Sequence, residues 1–146
     1  MRTWKEDNLL GRVREARKIV VARDRKDLDE ILEDLYNKYE GKRMNLSFID
    51  VSNVKDMSYL FCGQGVPYIL SGWDVSNVED MNHMFYGAIF NKNISKWDVS
   101  NVEDMSYMFY YSEFDGDISN WDISNVKDAD GMFDDSPLEG NEPDWY

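Results

Sequence analysis

Tryptophan recurs at a fixed interval of 24 residues through most of this sequence. The residues at this position are Trp73, Trp97, Trp121 and Trp145, preceded one interval earlier by Ile49. A constant period without insertions is typical of a repeat architecture, in which each unit buries its apolar face only against its neighbours. Residues 46–146 therefore predict four stacked units followed by a truncated fifth.

Further positions share this period and suggest how one unit is built. In the third unit the recurring residues are Trp97, Asp98, Val99, Ser100, Asn101, Val102, Asp104 and Phe109. The apolar, polar, apolar alternation from Trp97 to Val99 predicts a short strand with one buried face. Because a lone strand of this size cannot bury that face by itself, equivalent residues are expected to lie over one another in successive units.

The second half of each unit has the spacing of a short helix. Met105, Met108 and Phe109 lie at positions i, i+3 and i+4, which places them on one helical face. Asn101 is a suitable N-cap, and Asp104 would oppose the positive end of the helix dipole. The pattern predicts an α/β repeat whose units each contain a short strand and a short helix.

A helical cap is predicted before the repeats. The apolar stripe of this helix consists of Leu28, Ile31, Leu32, Leu35 and Tyr39. Its spacing predicts an amphipathic helix over residues 26–40, begun by Asp24 or Asp27 and ended by Gly41. We expect this helix to lie over the first coil.

The domain organisation follows from these elements. We expect a helical cap at residues 26–45 and a solenoid at 46–146, which together form one continuous domain. Residues 1–25 are expected to hold a tail, a short helix or a short strand, the strand running from Lys18 to Ala22.

Charge is distributed unevenly along the chain. Residues 1–43 carry 12 Lys/Arg and 10 Asp/Glu, a net of +2, whereas residues 44–146 carry 4 and 19, a net of −15. An acidic surface repels phosphates and attracts basic partners, so direct nucleic-acid binding by the repeats is not expected. The simpler alternative is that this charge only keeps the protein soluble and monomeric.

Few features point to a compartment. Cys62 is the single cysteine, so no disulfide framework within the chain is expected. No signal-peptide pattern, lipid-anchor cysteine or membrane-spanning apolar run is seen. The expected location is cytoplasmic, without a membrane partner.

The repeat motif resembles a known bacterial family. The segments at residues 97–109 and 114–126, which both contain Trp-Asp, an aliphatic residue and Ser-Asn-Val, are similar to BspA-like leucine-rich-repeat surface proteins. This is also described as a mycoplasma-type lipoprotein repeat family of unknown function. The resemblance covers about residues 46–136 and implies a short, right-handed, leucine-rich-repeat-like solenoid, with no enzymatic activity and no catalytic residues.

The stacked aspartates are the first candidate site. The first aspartate position is occupied by Asp50, Asp74, Asp98 and Asp122. Such a column could bind Ca²⁺, or each carboxylate could accept hydrogen bonds from the turn after its strand. The Ser-Asn that follows each aspartate favours the turn, so we expect no metal site and no cofactor. One histidine, His83, supplies no catalytic set, and we expect no enzyme.

The second candidate site is aromatic, and we expect a protein partner to bind there. Its residues are Tyr59, His83 and Tyr107 in one column, Tyr86, Tyr110 and the neighbouring Tyr111 in another, and Tyr68 in a loop that departs from the repeat. Tyrosine beside acidic residues suits a basic protein partner. The alternative is that these rings only cover the core.

Several functions remain open. The first is a non-catalytic protein–protein interaction module that uses an acidic, tyrosine-bearing solenoid surface. The second is an acidic decoy or anti-defence protein of a mobile element or phage, which would occupy a basic nucleic-acid site on a host protein. A homo-oligomer is a further hypothesis, because residues 1–23 carry seven Lys/Arg against three acids.

Overall fold

The computed structural model describes residues 20–146, in which regular secondary structure is sparse. The elements are strand β1 (Val20–Val21), helix α1 (Arg25–Tyr39) and strand β2 (Ile49–Asp50). β1 pairs with β2 in parallel, with Val20 opposite Ile49. β1 confirms a strand within the segment from Lys18 to Ala22, whereas the other expectations for residues 1–19 lie outside the described residues.

Helix α1 confirms the helix predicted for residues 26–40 and begins one residue earlier. The Asp24 side chain caps it by accepting the backbone N–H of Asp27. At the other end Glu40 has a left-handed backbone and donates its N–H to the Tyr36 carbonyl, and Gly41 follows with a φ of 66°. A left-handed residue and a glycine are a common way to end a helix.

Helix α1 also contacts the first repeat, as expected for a cap. Leu28 and Leu35 are buried, and the Arg25 guanidinium donates a hydrogen bond of 2.6 Å to the Ser58 carbonyl. The same guanidinium group lies 3.7 Å from the Asp56 carboxylate. The backbone of the first unit is thereby partly covered by this helix.

Equivalent residues of successive repeats lie beside one another and pair through their backbones. Isolated parallel bridges join Asp56 to Asp80, Asp80 to Asp104 and Asp104 to Asp128, always 24 residues apart. Backbone N–H groups of one unit donate to carbonyls of the next, as from Met81 to Asp104 at 2.9 Å. These contacts are those that stacked coils require, while the hand of the coil and its leucine-rich-repeat class stay predictions.

The short helix predicted in each unit is wrong. Within residues 51–146 the chain forms turns and isolated bridges but no helix, and the strand predicted in each unit forms only in the first unit, as β2. In the third unit the N–H groups of Tyr107 and Phe109 donate to Asp130 and Met132 of the next unit, not to carbonyls four residues back. Tyr107 and Tyr111 also have positive φ, 54° and 52°, which a right-handed helix does not allow.

The recurring asparagine and second aspartate do not cap a helix either. The side-chain nitrogen of Asn101 donates to the Ser76 carbonyl of the preceding unit at 2.7 Å. Asp104 accepts both the N–H and the hydroxyl of Ser106, two residues later. The asparagine therefore links neighbouring units. The aspartate stabilises a turn, because a hydrogen bond between its side chain and a nearby backbone N–H competes with helix formation.

The core consists of residues that recur with the repeat. Phe61, Phe85, Phe109 and Phe133 form a continuous stack, with ring centroids 5.6, 5.7 and 6.0 Å apart. Trp97 is 4% exposed, and its indole N–H donates to the Leu70 carbonyl at 3.1 Å. The other repeat tryptophans donate to the carbonyl 27 residues earlier in the same way. Trp73, Trp97 and Trp121 are thus both buried and hydrogen-bonded, and Trp145 is hydrogen-bonded and partly buried.

Candidate functional site

A left-handed backbone position recurs in every unit and carries the first column of aromatic side chains. Tyr59, His83 and Tyr107 have φ of 58°, 54° and 54°. In the fourth unit the same position is Gly131, with a φ of 61°. Because only glycine adopts this conformation without strain, the three ring-bearing residues are held there at a cost.

The three side chains of this column stack along the repeat direction. The rings of Tyr59 and His83 are 4.4 Å apart with an interplanar angle of 10°, and those of His83 and Tyr107 are 5.0 Å apart at 30°. The stack ends at Gly131, where a Cβ atom would lie 2.6 Å from the Tyr107 ring. Glycine thus leaves the room that the last ring occupies.

A second pair of rings joins this stack from the next turn position. Tyr86 and Tyr110 stack at 5.0 Å, while His83 contacts Tyr86 at 5.4 Å and Tyr107 contacts Tyr110 at 5.8 Å. The five residues Tyr59, His83, Tyr86, Tyr107 and Tyr110 therefore form one continuous strip, which we call the aromatic ladder. The structure thereby brings the two predicted columns together, with the exception of Tyr111.

The ladder is partly exposed to solvent. Tyr59 and Tyr107 are 53% and 38% exposed, although each stacks on or packs against His83. Phenol hydroxyls donate and accept hydrogen bonds. The His83 Nδ1 atom lies 2.9 Å from the Asn82 side-chain oxygen, which fixes the imidazole within the strip.

Carboxylates border the ladder at its C-terminal end. A hydrogen bond with Asp135 is the main cause that raises the pKa of the Tyr110 hydroxyl, and the negative charge of Asp135 raises it further. Asp134 and Asp135 are both exposed, and the Asp134 carbonyl accepts the N–H of Tyr111. This end of the ladder therefore combines tyrosine hydroxyls with negative charge.

Two of the predicted site residues lie outside the ladder. Tyr111 is 70% exposed but has no ring contact within the described residues, because its φ of 52° places it at another turn position. Tyr68 is 6% exposed and packs on Phe61 at 6.4 Å. The helix expected to group Tyr107, Tyr110 and Tyr111 does not form, so only the first two remain together.

The aspartate columns stabilise turns. Asp98 accepts the backbone N–H of Ser100 at 3.0 Å and the Ser100 hydroxyl at 2.6 Å, and Asp50 accepts the same pair from Ser52. These hydrogen bonds lower the pKa of both carboxylates, and the bond from the serine hydroxyl contributes most. This is the hydrogen-bonded turn that the sequence favoured over Ca²⁺. Within residues 20–146 no group of three or more potential metal ligands is present.

The paired repeats and their helical cap define a repeat-containing protein. The chain belongs to a family described as Mycoplasma protein of unknown function, DUF285, whose model matches residues 30–145. No curated protein and no solved structure is significantly similar to the chain. Among the described residues, no helix is both long and apolar enough to cross a membrane.

Proposed function

We propose that this protein is a short, right-handed, leucine-rich-repeat-like solenoid related to BspA-like proteins, and that it acts as a non-catalytic protein–protein interaction module. The binding surface is the aromatic ladder with its acidic border. The bridges between Asp56, Asp80, Asp104 and Asp128 support the solenoid. The observation that carries the function is the continuous strip of partly exposed rings, three of which (Tyr59, His83 and Tyr107) stand at positions where the backbone favours glycine.

The energetics of this column support a role at the surface. A left-handed backbone costs an L-residue about 1–2 kcal/mol, and a stacked aromatic pair returns roughly 0.5–1.5 kcal/mol. Gly131 occupies the same position without a ring, so the turn itself does not require one. Ring stacking thus does no more than offset the backbone strain, which supports binding as the reason for the rings.

The chemistry of the ladder indicates a basic partner. Tyrosine contributes strongly to protein interfaces because it combines a large rigid surface with a hydroxyl. Asp134 and Asp135 border the ladder, and the repeat region carries a net charge of −15. An arginine- or lysine-bearing surface would complement both features.

An affinity pull-down with purified protein tests this proposal. We expect wild type to capture a partner from host lysate that the double variant Tyr107→Ala/Tyr110→Ala fails to capture. The matched control is Tyr111→Ala, which removes a more exposed tyrosine outside the ladder and should keep the partner. Circular dichroism and thermal unfolding show whether each variant is folded. A folded double variant that captures the same proteins as wild type would disprove the proposal.

The alternative function is an acidic decoy that occupies a nucleic-acid site. It is favoured by the exposed carboxylates of Asp74, Asp98 and Asp122, of which Asp98 and Asp122 have a lowered pKa and so stay ionised at neutral pH. A decoy should lose its partner steeply with rising salt, because exposed charges are screened within about 10 Å at 0.1 M salt. Binding that persists at high salt but requires Tyr107 and Tyr110 favours the ladder.

A further inference from the structure

A groove lies between helix α1 and the loops of the first two repeats. Its volume is about 1030 Å³, and the residues that line it come from α1 and the two residues after it, from residues 60–68, from residues 89–92 and from Glu113. None of the five ladder residues lines it. The groove is therefore a separate surface, built around the loop that departs most from the repeat.

The groove has an apolar lining that remains open to solvent. Tyr36 and Ile89 are 56% and 61% exposed, whereas Tyr68 beneath them is 6% exposed. A Cβ atom added at Gly63 or Gly65 would meet no atom within 4 Å, so these glycines leave free space. Large exposed apolar side chains beside such space commonly mark binding sites.

The charges around the groove are mainly negative. Asp29 is paired with Arg25 at 2.8 Å, and Glu40 lies 3.9 Å from Lys42. Within residues 20–146, neither Glu33 nor Glu113 is in an ion pair. Among the described residues that line the groove, Lys92 is the single cation. The unpaired carboxylates therefore favour a cationic occupant.

We propose that this groove binds a short peptide segment of a partner protein, in which an apolar anchor is flanked by arginine or lysine. The apolar side chain would lie against Tyr36, Tyr68 and Ile89. The basic side chains would pair with Glu33 and Glu113. The proposal is independent of the aromatic ladder, because it concerns a different surface and a different set of residues.

Fluorescence anisotropy with a defined probe tests the groove. The probe is a short fluorescein-labelled peptide in which arginine and leucine alternate, and the full chain is titrated against it. Gly65→Phe should weaken binding at least about tenfold, because the new ring fills free space at a position whose φ is not in the left-handed region. Gly65→Ala is the matched control and should bind within about twofold of wild type.

Charge variants provide a second measurement that does not depend on filling the groove. Glu33→Gln/Glu113→Gln should weaken probe binding about fivefold. Glu79→Gln/Glu103→Gln makes the same change in net charge at surface residues that pair with Lys55 and Lys127, and it should weaken binding by less than twofold. A probe with glutamate in place of arginine should not bind.

Several outcomes would overturn the groove as the binding site. These are absence of binding by wild type, equal binding by Gly65→Phe with an unchanged fold, and equal weakening by the two charge variants. Loss of probe binding in Tyr107→Ala/Tyr110→Ala would place the probe on the ladder instead. Conversely, the groove proposal holds if Tyr107→Ala/Tyr110→Ala still binds the probe. This is so even if that variant captures the same proteins as wild type in the pull-down, a result that would disprove only the ladder proposal.

Discussion

Two aromatic columns run through the same repeats two residues apart, one inside the protein and one on its surface. The interior column has phenylalanine in every unit, and Phe85 is fully buried between Phe61 and Phe109. The surface column changes from tyrosine to histidine to tyrosine and ends in Gly131. Both columns stack ring on ring, yet only the interior one keeps a single residue type.

The difference shows which contacts the fold requires. A buried ring fills a close-packed space that no smaller residue fills, so every unit needs the same side chain. A surface ring contacts only its neighbours, and Gly131 shows that the turn forms without one. Substitutions in the two columns should therefore have very different effects on stability.

The largest effect is expected for Phe85→Ala. This change removes a fully buried ring that also packs on Phe90 at 4.3 Å, and such truncations typically lower the free energy of unfolding by about 3–5 kcal/mol. Urea unfolding followed by circular dichroism measures it. His83→Ala, two residues away in the same unit, is the control and should lower it by less than about 1.5 kcal/mol. Similar losses in both variants would contradict the distinction between the columns.

The repeat period and the interior residues were predictable because they depend on which side chains are apolar. The helix in each unit was not, since Met105, Met108 and Phe109 have helical spacing but their turn contains the left-handed residue Tyr107. Gly131 at the same position, together with Gly87 at the position of Tyr111, is a sequence signal for this turn. Two such positions in one unit are incompatible with a helix.

The aromatic site was predictable only in part, because its grouping relied on the helix predicted in each unit. Column membership identified the residues that stack along the repeats, such as Tyr59 on His83. The contact between Tyr107 and Tyr110 was expected from a helix that does not form, and Tyr111 was grouped with them on that basis. The groove beside α1 depends on how the cap packs on the first two units, which the local sequence pattern does not specify.

A smaller loss is expected for Trp97→Phe, which changes the interior without emptying it. The Leu70 carbonyl then loses the indole N–H at 3.1 Å but keeps the backbone N–H of Trp73, so the expected loss is that of one hydrogen bond, about 0.5–1.5 kcal/mol. Trp145→Phe removes the equivalent bond to Ile118 from a partly buried ring and should cost less. Urea unfolding of both variants decides this, and an equal or larger loss for Trp145→Phe would contradict it.

The turns at the first aspartate position of each unit should make stability depend on acid pH. Hydrogen bonds with serine lower the pKa of Asp50, Asp98 and Asp122 in the folded state below the ordinary value of 3.8. Their contribution is therefore fully present above that value and is lost as pH falls through the folded-state pKa. On account of these groups, we expect the free energy of unfolding to change little from pH 7 to about 4. It should then decrease as the pH drops further below about 4.

Asparagine at the same three positions provides a control for this pH effect. Asn93 already accepts the N–H and hydroxyl of Ser95, so Asp50→Asn/Asp98→Asn/Asp122→Asn should keep the turns while removing three titrating groups. The decline below pH 4 should be shallower in this variant, with Asp117 still contributing because its pKa is lowered by Ser119. An unchanged decline in urea unfolding measured against pH would show that these carboxylates are not responsible.

The smallest effect is expected for Tyr107→Gly, and it tests the surface column most directly. Glycine relieves a left-handed backbone worth about 1–2 kcal/mol, while the lost contacts with His83 and Tyr110 cost roughly as much, so the net change in unfolding free energy should be about 0.5 kcal/mol or less. Tyr107→Ala keeps the positive φ of 54° but loses the ring, and it should be less stable than Tyr107→Gly by about 1 kcal/mol. If Tyr107→Gly instead destabilises the protein as much as Phe85→Ala does, the ring is needed for folding. Its strained position would then no longer support a role in binding.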